Sequence, residues 1–359
     1  MSGLHFHPLR VKRIVADTDD ARIVAFDVPH ELQQEFHFQP GQYLTLRSHV
    51  AGEDLRRSYS ICAGLDDGEL RVGVRQVPGG AFSTWLHASL REGDTLDVLA
   101  PQGKFTVPPG DGSPRHLLLV AGGSGITPMI AIARTVLARE PATQITLVYA
   151  NRRSASTMFK EEIEDLKNGH LTRFSIFASF SREAVEAPLN AGRLDCAKMT
   201  MLLASVIDPA SVDQAFVCGP HGMNDEVQTA LIDAGLPSER IHIERFGVPP
   251  SAADAHLHDA RPGDAPLARV RVIRDGVTRE VEFTAGTPSL LAAAAQAGLD
   301  VPFSCKSGVC ATCRAKLLDG RVRMDRNFAL DAADLAAGFI LTCQSHPLTP
   351  HVTVSYDER

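Results

Sequence analysis

The stretch 303-FSCKSGVCATCRAKLL-318, completed by Cys343, decides the fold of the C-terminal part of this chain. Cys305, Cys310 and Cys313 follow the spacing C-x4-C-x2-C, and Cys343 comes after 29 further residues. Plant-type [2Fe–2S] clusters are held by four thiolates at this spacing. The residues between the cysteines are small, which suits a loop that turns tightly around a cluster. The sequence therefore predicts these four cysteines as the ligands of a [2Fe–2S] cluster.

A zinc site is the main alternative, because zinc also binds cysteine thiolates. Structural zinc sites more often use two C-x2-C pairs or a mixture of cysteine and histidine. A chance grouping of structural cysteines is the other alternative. A cluster of the predicted type accepts one electron at a time, so we expect the rest of the chain to supply single electrons.

Length and composition favour a multidomain globular protein. A chain of 359 residues suits two or three domains, and 44 % hydrophobic with 22 % charged residues is typical of soluble proteins. The formal net charge of −7 argues against general nucleic-acid binding.

Targeting signals and cysteine usage favour a cytoplasmic location. The N-terminus MSGLHFHPLR lacks the apolar run of a signal peptide, and no apolar stretch reaches the roughly 18 residues of a membrane span. Three further cysteines, Cys62, Cys196 and Cys218, are scattered and form no disulfide framework, which fits a reducing compartment.

Hydrophobic patterning divides the chain into four parts. Residues 1–108 contain short β-type runs between turn signals and predict an antiparallel β-barrel. Strand and helix patterns alternate over 109–247, which predicts a doubly wound α/β domain with a parallel sheet. Residues 248–267 are rich in Ala, Pro and Asp and are interpreted as a flexible linker. Residues 268–359 predict an α+β β-grasp domain of the ferredoxin type, with a hairpin at Asp275-Gly276.

The barrel region carries two segments with flavin chemistry. In 57-RSYS-60, Arg57 offers a guanidinium for a phosphate, Tyr59 an aromatic ring, and Ser60 a hydroxyl within reach of flavin N5. In 75-RQVPGGAFSTWL-86, a pyrophosphate is expected at a helix start, held by Gly79, Gly80 and Ser83. Each segment alone also fits an ordinary strand or a glycine turn, and their combination favours flavin binding.

The α/β region carries two segments with nucleotide chemistry. The loop 121-AGGSGITPM-129 follows an apolar strand and opens a helix, as phosphate loops do, although it departs from the strict G-x-G-x-x-G pattern. The segment 218-CGP-220 ends a strand where ligands of α/β sheets bind. A purely structural glycine turn and a buried thiol at a strand end are the alternatives.

In this order, R-x-Y-S, G-G-x-x-S, G-G-S-G-I-T-P and C-G-P resemble the ferredoxin–NADP⁺ reductase superfamily. With a C-terminal ferredoxin domain, the chain resembles the three-domain reductases of multicomponent oxygenases. The resemblance implies an NAD(P)H-dependent flavin and iron–sulfur oxidoreductase. It is greatest, in segments such as 38-FQPGQYLTLR-47 and 244-ERFG-247, to reductases that serve phenylacetyl-CoA epoxidases in phenylacetate degradation.

The resemblance also implies roles for individual residues. FAD is expected along 57-RSYS-60, which includes Ser58, and on the glycines of the second flavin segment. Ser60, Cys218 and Phe246 are expected at the reacting rings. Glu244 is a candidate proton relay. The nicotinamide nucleotide is expected to contact Gly122, Gly123, Ser124, Gly125 and Thr127, together with Cys218, Gly219 and Pro220.

The nucleotide is predicted to be NADPH, with NADH as the alternative. The 2′-phosphate of the adenosine ribose is expected beyond the second and third strands of the parallel sheet, which are followed by Arg152, Arg153, Ser181 and Arg182, and Arg193 is a further candidate. A solvated charged rim is the other explanation, and Glu183 is a candidate partner that would draw Arg182 away from the nucleotide.

The expected partner is an oxygenase component, with neither nucleic acid nor membrane involved. Steroid and aromatic ring hydroxylases are alternative oxygenases, and a flavin and iron–sulfur redox sensor is an alternative of another class. Residues 268–359 hold 11 basic against 10 acidic residues. Arg321, Arg323 and Arg326 form either a solvated face or a docking patch for an acidic partner.

Overall fold

The computed structural model describes residues 5–248 and 257–358. The chain divides into two compact units, one over Phe6–Phe246 and one that holds the chain from Gly247 onward. The first unit contains the barrel and the α/β domain, and the second contains the ferredoxin-like domain. Among the described residues, no helix has the length and hydropathy to cross a membrane.

The barrel is built from strands joined in the order β4-β3-β6-β1-β2-β5. Their bounds are β1 Phe6–Thr18, β2 Ala21–Asp27, β3 Tyr43–Val50, β4 Glu53–Ser60, β5 Leu70–Arg75 and β6 Thr95–Leu99, with helix α1 at Ala81–Ser89. Neighbouring strands run antiparallel, and a bridge between Ile61 and Val72 connects the end of β4 to β5. The predicted antiparallel barrel is confirmed.

The sequence patterns did not identify β1, which is the longest strand of the barrel. Its segment FHPLRVKRIVADT contains basic residues and Pro8, so only Leu9 and Val11 are buried. The strand is defined by its pairing with β2 on one side and β6 on the other, which no local pattern reports.

The α/β domain is a parallel sheet in the order β11-β10-β7-β8-β9. Its strands are β7 His116–Gly122, β8 Gln144–Asn151, β9 Phe174–Phe180, β10 Gln214–Cys218 and β11 Ile241–Glu244, and its helices are α2 Ile126–Arg139, α3 Lys160–Gly169, α4 Cys196–Ser205 and α5 His221–Asp233. The strand order reverses direction on either side of β7, and ligands of open α/β sheets bind at such switch points. The predicted fold class is confirmed.

The barrel packs tightly on the α/β domain. Gly73 of β5 approaches Thr127 of α2 so closely that an added Cβ would lie 2.7 Å from the threonine methyl. Arg71 binds Glu162 at 2.7 Å, and Arg134 binds Asp67 at 2.8 Å, across the same boundary. These contacts fix the barrel residues relative to the glycine-rich loop.

The ferredoxin-like domain is a mixed sheet in the order β13-β12-β18-β14-β16. Its strands are β12 Leu267–Arg274, β13 Val277–Thr284, β14 Arg314–Asp319, β15 Val322–Met324, β16 Phe339–Leu341, β17 Ser345–Pro347 and β18 His351–Ser355, with helices α6 Leu290–Gln296 and α7 Ala332–Ala336. Strands β12 and β18 are parallel and α6 packs against the sheet, which is the expected β-grasp arrangement. Asp275 and Gly276 both have positive φ, as a tight hairpin requires.

The stretch predicted as a linker lies partly outside the described residues, which omit 249–256. Its later part is held by the ferredoxin-like domain. His258 binds Asp325 at 2.9 Å, Asp264 binds Arg323 at 2.7 Å, and Ala265 N–H donates to the carbonyl of Pro347 at 2.9 Å. The domain boundaries at 108, 247 and 267 stay predictions.

Candidate flavin, nucleotide and iron–sulfur sites

The two predicted flavin segments meet in the barrel. Helix α1 begins directly after Gly80, and its Phe82 ring lies 6.0 Å from the ring of Tyr59 on β4. Arg57 is exposed and points to the same face of β4 as Tyr59, whereas Ser60 is buried on the other face. Burial raises the pKa of the Tyr59 phenol, so the ring stays neutral.

The glycine turn before α1 fits a phosphate group. Gly79 has φ +73° and open space where a side chain would be, and Gly80 has no side chain to cap the first N–H groups of α1. Ser83 forms its hydrogen bonds within this turn. Its hydroxyl accepts from Val77 N–H at 3.0 Å and donates to the Gly80 carbonyl at 3.3 Å, so it holds the turn in shape.

The glycine-rich loop and the C-G-P segment are packed backbone against backbone. A Cβ on Gly125 would lie 2.0 Å from the carbonyl oxygen of Cys218, and one on Gly219 would lie 3.0 Å from Gly122. Gly123 has φ +56°, and the hydroxyl of Thr127 donates to the Ser124 carbonyl at 3.0 Å. Only glycine permits these approaches, and a glycine loop at the start of a helix is the kind of backbone that can hold a pyrophosphate.

Two titratable groups, Glu244 and Cys218, lie side by side at the end of the parallel sheet, and Glu244 binds Ser60 of the barrel. The Ser60 hydroxyl donates to Glu244 Oε2 at 3.3 Å, and Glu244 pairs with Cys218 in the register of β10 and β11. Burial raises the pKa of Glu244 to about 8, against which the hydrogen bond from Ser60 acts. Burial, and next the charge of Glu244, raise the pKa of the Cys218 thiol.

The adenosine end of the predicted nucleotide site carries exposed arginines. Arg182 N–H donates to the Arg152 carbonyl at 2.9 Å, so the chain after β8 and the chain after β9 lie side by side. Within 5–248 and 257–358, neither guanidinium is paired with a carboxylate. Glu183 accepts from Ser154 N–H, and Ser181 donates its hydroxyl to the Asn151 carbonyl at 3.4 Å.

The four cysteines of the ferredoxin-like domain come together as two pairs. Cys305 shares a hydrogen bond with Cys310, and Cys313 shares one with Cys343. The bond from Cys310, followed by the N–H groups of Ser307 and Val309, lowers the pKa of Cys305 to about 5.

The loop backbone explains how four sulfurs converge. Lys306, Gly308 and Ala311 have positive φ, which turns the chain back three times within seven residues, 305–311. Gln344 Nε2 donates to the Lys306 carbonyl at 3.0 Å, and the Thr342 hydroxyl donates to the Cys313 carbonyl at 3.0 Å. This donor set and geometry fit a [2Fe–2S] cluster.

A second group of potential metal ligands lies elsewhere in the same domain. Asp325 Oδ2 lies 2.9 Å from both His258 Nδ1 and His346 Nε2. Arg323 and Arg261 face the same buried carboxylate, and two cations already beside it disfavour a metal ion. The arrangement also corrects one prediction, because Arg323 is bound internally to Asp264 and Asp325 and is not part of a docking patch.

Family models match this chain in three consecutive segments. Residues 8–107 match an oxidoreductase FAD-binding domain, 119–229 an oxidoreductase NAD-binding domain, and 272–348 a 2Fe-2S iron-sulfur cluster binding domain. A component of 1,2-phenylacetyl-CoA epoxidase from Escherichia coli is 42 % identical over 99 % of this chain and 98 % of its own length. The chain belongs to the FAD- and [2Fe–2S]-dependent reductases of multicomponent oxygenases.

Another member of the family supports the same assignment, and a solved structure shares the fold. The ferredoxin reductase component of 3-ketosteroid-9-alpha-monooxygenase from Rhodococcus rhodochrous is 34 % identical over 97 % of this chain and 96 % of its own length. Phthalate dioxygenase reductase shares the fold, with a TM-score of 0.60 and 24 % identity over 98 % of both chains. The predicted family, reductase activity and three cofactor domains are confirmed.

The sequence motifs indicate only a candidate role for Glu244 and no role for Arg75. Glu244 is distant in sequence from Ser60, so only the packing of β11 beside the barrel brings the two together. Arg75 lies against Gly123 and donates to the Ser156 carbonyl. Its position at the start of a predicted flavin segment gave no sign that it supports the nucleotide loop instead.

Proposed function

We propose that this reductase passes electrons from NADPH, through FAD and the [2Fe–2S] cluster, to the oxygenase component of a phenylacetyl-CoA epoxidase. The observation that carries the choice of partner is the 42 % identity to the epoxidase component over nearly both full lengths, against 34 % for the steroid monooxygenase reductase. Bound flavin accepts a hydride from a nicotinamide and releases electrons singly, as a [2Fe–2S] cluster requires.

Ser60 and Glu244 are proposed to move a proton at the flavin. The Ser60 hydroxyl would take at Oγ a proton that the bound flavin gives up on reoxidation, and would pass its own proton to Glu244 Oε2. A carboxyl with a pKa of about 8 exchanges a proton readily near neutral pH. Cys218 is proposed to line the nicotinamide position as a neutral thiol, and Phe246, which is 45 % exposed, to cover a ring.

The preference for NADPH is proposed from the exposed guanidiniums of Arg152 and Arg182. They follow neighbouring parallel strands, and no carboxylate in the described chain neutralises them. Arg193 lies close by, because Ala191 forms a parallel bridge to Phe180 at the end of β9. A ribose 2′-phosphate would accept charge-assisted hydrogen bonds from such a group.

The oxygenase is proposed to dock beside the cluster loop. Lys306 stands on the loop with its ammonium 4.5 Å from the centre of the Phe303 ring. Phe328 is 42 % exposed and its N–H donates to the Gly308 carbonyl at 3.0 Å. The residue Arg326 lies against Gly308 of the same loop, so basic residues and apolar rings adjoin each other there, which suits an acidic partner surface.

The partner is tested by reconstitution. The purified reductase is mixed with NADPH and either the epoxidase oxygenase component with phenylacetyl-CoA or a 3-ketosteroid 9α-monooxygenase oxygenase with its steroid. We expect NADPH-dependent product in the first mixture at least about tenfold faster than in the second, the difference that about 1.4 kcal/mol of partner discrimination produces. Faster turnover of the steroid would assign the reductase to the other oxygenase.

A further inference from the structure

Asn224 connects helix α5 to the end of β11. It lies on the first turn of α5, is completely buried, and donates from Nδ2 to the backbone carbonyl of Glu244 at 3.0 Å. Its other polar atom, Oδ1, has no hydrogen-bond partner in the described chain. The amide nitrogen of Asn224 therefore has a hydrogen-bond partner in Glu244, and its amide oxygen has none in the described chain.

Stability alone does not explain an asparagine at this position. A buried polar atom without a partner destabilises the folded state, whereas an apolar side chain of the same shape avoids that cost. Leucine has nearly the shape of asparagine and would suit the buried surroundings better. What leucine cannot provide is the hydrogen bond to the Glu244 carbonyl.

The same face of α5 also binds Arg245, the residue that follows Glu244. Arg245 binds Asp225 and lies with Nη1 2.9 Å from His221 Nδ1. Positions 221, 224 and 225 are neighbours on a helix surface, since residues three and four apart lie on one face. The helix thus fixes the main chain at Glu244 and the side chain at Arg245, and Glu244 is directed to the opposite side, toward Ser60.

We infer that Asn224 is a positioning residue for the reductase reaction: it fixes the backbone at Glu244 so that the carboxyl group stays within reach of the Ser60 hydroxyl. The inference rests on the proposed proton exchange between Ser60 and Glu244. The groups that face Glu244 are Ser60 from β4 and Cys218 from β10, while His221, Asp225 and Arg245 form the contacts on the helix side.

The test compares Asn224→Leu in the wild-type protein and in the Glu244→Gln variant, using the full chain with FAD and cluster bound. Reoxidation of the NADPH-reduced flavin by an artificial electron acceptor is followed by stopped flow from pH 6 to 9, alongside NADPH affinity and thermal unfolding. In the wild-type background we expect a rate loss of about tenfold, as for small displacements in an active site, with NADPH affinity unchanged. The inflection of the pH profile near 8 should move to lower pH. Without the hydrogen bond from Asn224, the Glu244 carboxyl group becomes more exposed to water, and hydration of its ionised form lowers its pKa.

The double variant identifies how Asn224 acts. If Asn224 works through Glu244, Asn224→Leu changes the rate less than about twofold once Glu244→Gln is present. Val227→Ala is the matched control, since Val227 is buried one turn along the same helix and its apolar side chain cannot hydrogen-bond to either group. It should lower thermal stability and leave the rate and the inflection unchanged.

Three results would overturn the inference. The first is a loss of rate by the same factor in both backgrounds, which would show that Asn224 has a general structural role. The second is an Asn224→Leu protein that loses stability and keeps the wild-type inflection. The third is a Glu244→Gln protein with the wild-type rate and pH profile: the proposed proton exchange then fails first, and Asn224 has no group to position.

Discussion

The Ser60 hydroxyl, at the end of a barrel strand, donates to Oε2 of Glu244, at the end of the last strand of the parallel sheet, over 3.3 Å. Two domains thus contribute one hydrogen bond at the edge where the flavin is proposed to meet the nicotinamide. Burial, which raises the pKa of Glu244 to about 8, makes this pair the most chemically distinctive feature of the first unit.

Ser60→Ala is expected to slow flavin reduction by NADPH about tenfold or more, because a lost hydrogen bond at the reacting ring acts on hydride transfer. Nucleotide affinity should change little, since the Ser60 hydroxyl donates to Glu244 and not to the predicted phosphate loop. Stopped-flow reduction over a range of NADPH concentrations separates the two effects. A wild-type limiting rate would contradict the placement of Ser60.

Glu244→Gln is expected to remove a pH dependence from turnover with an artificial electron acceptor. Only the ionised carboxylate accepts a proton from Ser60, so the wild-type rate should rise with pH through about 8 and level off above it. The glutamine variant should be slower and flat over the same range. Superimposable profiles of the two proteins would show that another group titrates.

The free energy of unfolding should also depend on the ionisation of Glu244. It should fall as pH rises, whereas the turnover rate rises. The pKa of Glu244 is raised above its ordinary value of 4.5, so the folded state binds this proton more tightly than the unfolded state. Between these two pKa values the wild type should lose stability relative to Glu244→Gln as pH rises, by up to about 1.4 kcal/mol for each pH unit. Thermal melts of both proteins at pH 5, 6.5 and 8 measure the difference, and a constant difference would contradict it.

Arg182→Ala is expected to raise the KM for NADPH about tenfold or more and to leave the KM for NADH nearly unchanged. A charge-assisted hydrogen bond to phosphate contributes roughly 1.5–3 kcal/mol to binding. NADH has no 2′-phosphate, so it does not form this bond and its binding does not weaken in the variant. Arg240→Ala, on an exposed arginine before β11 at the opposite edge of the sheet, is the control. Equal wild-type KM values for the two nucleotides would refute the preference.

Much of the fold follows from local sequence, because the relevant signals are themselves local. Asp275-Gly276 specifies a hairpin through two positive φ values, and the cysteine spacing specifies the loop around the cluster. Strand β1 and the internal use of Arg323 do not follow from local sequence. The strand depends on two partners far along the chain, and Arg323 looks like its exposed neighbour Arg321 until Asp264 and Asp325 are placed beside it.

The residues of the site also divide into those that local sequence predicts and those that only the packed structure identifies. Glycines 79, 123 and 125 are predictable because phosphate loops require glycine at positive φ and at close backbone approaches. The hydroxyl of Ser83 is part of the same motif, yet it binds the turn itself, and a motif does not state which atom a hydroxyl contacts. The pairing of Ser60 with Glu244 joins residues 184 positions apart and requires the packed structure.

Electrons from NADPH are proposed to reach the [2Fe–2S] cluster through the flavin, and an anaerobic titration of the purified protein with NADPH tests this path. Flavin absorbance and the electron paramagnetic resonance signal of the reduced cluster are followed together. We expect wild type, with about two irons per chain, to bleach its flavin and develop the cluster signal. Cys310→Ser should bleach its flavin equally and show no cluster signal. A wild-type protein that holds its iron and reduces its flavin fully, yet never reduces its cluster, would contradict the proposed path.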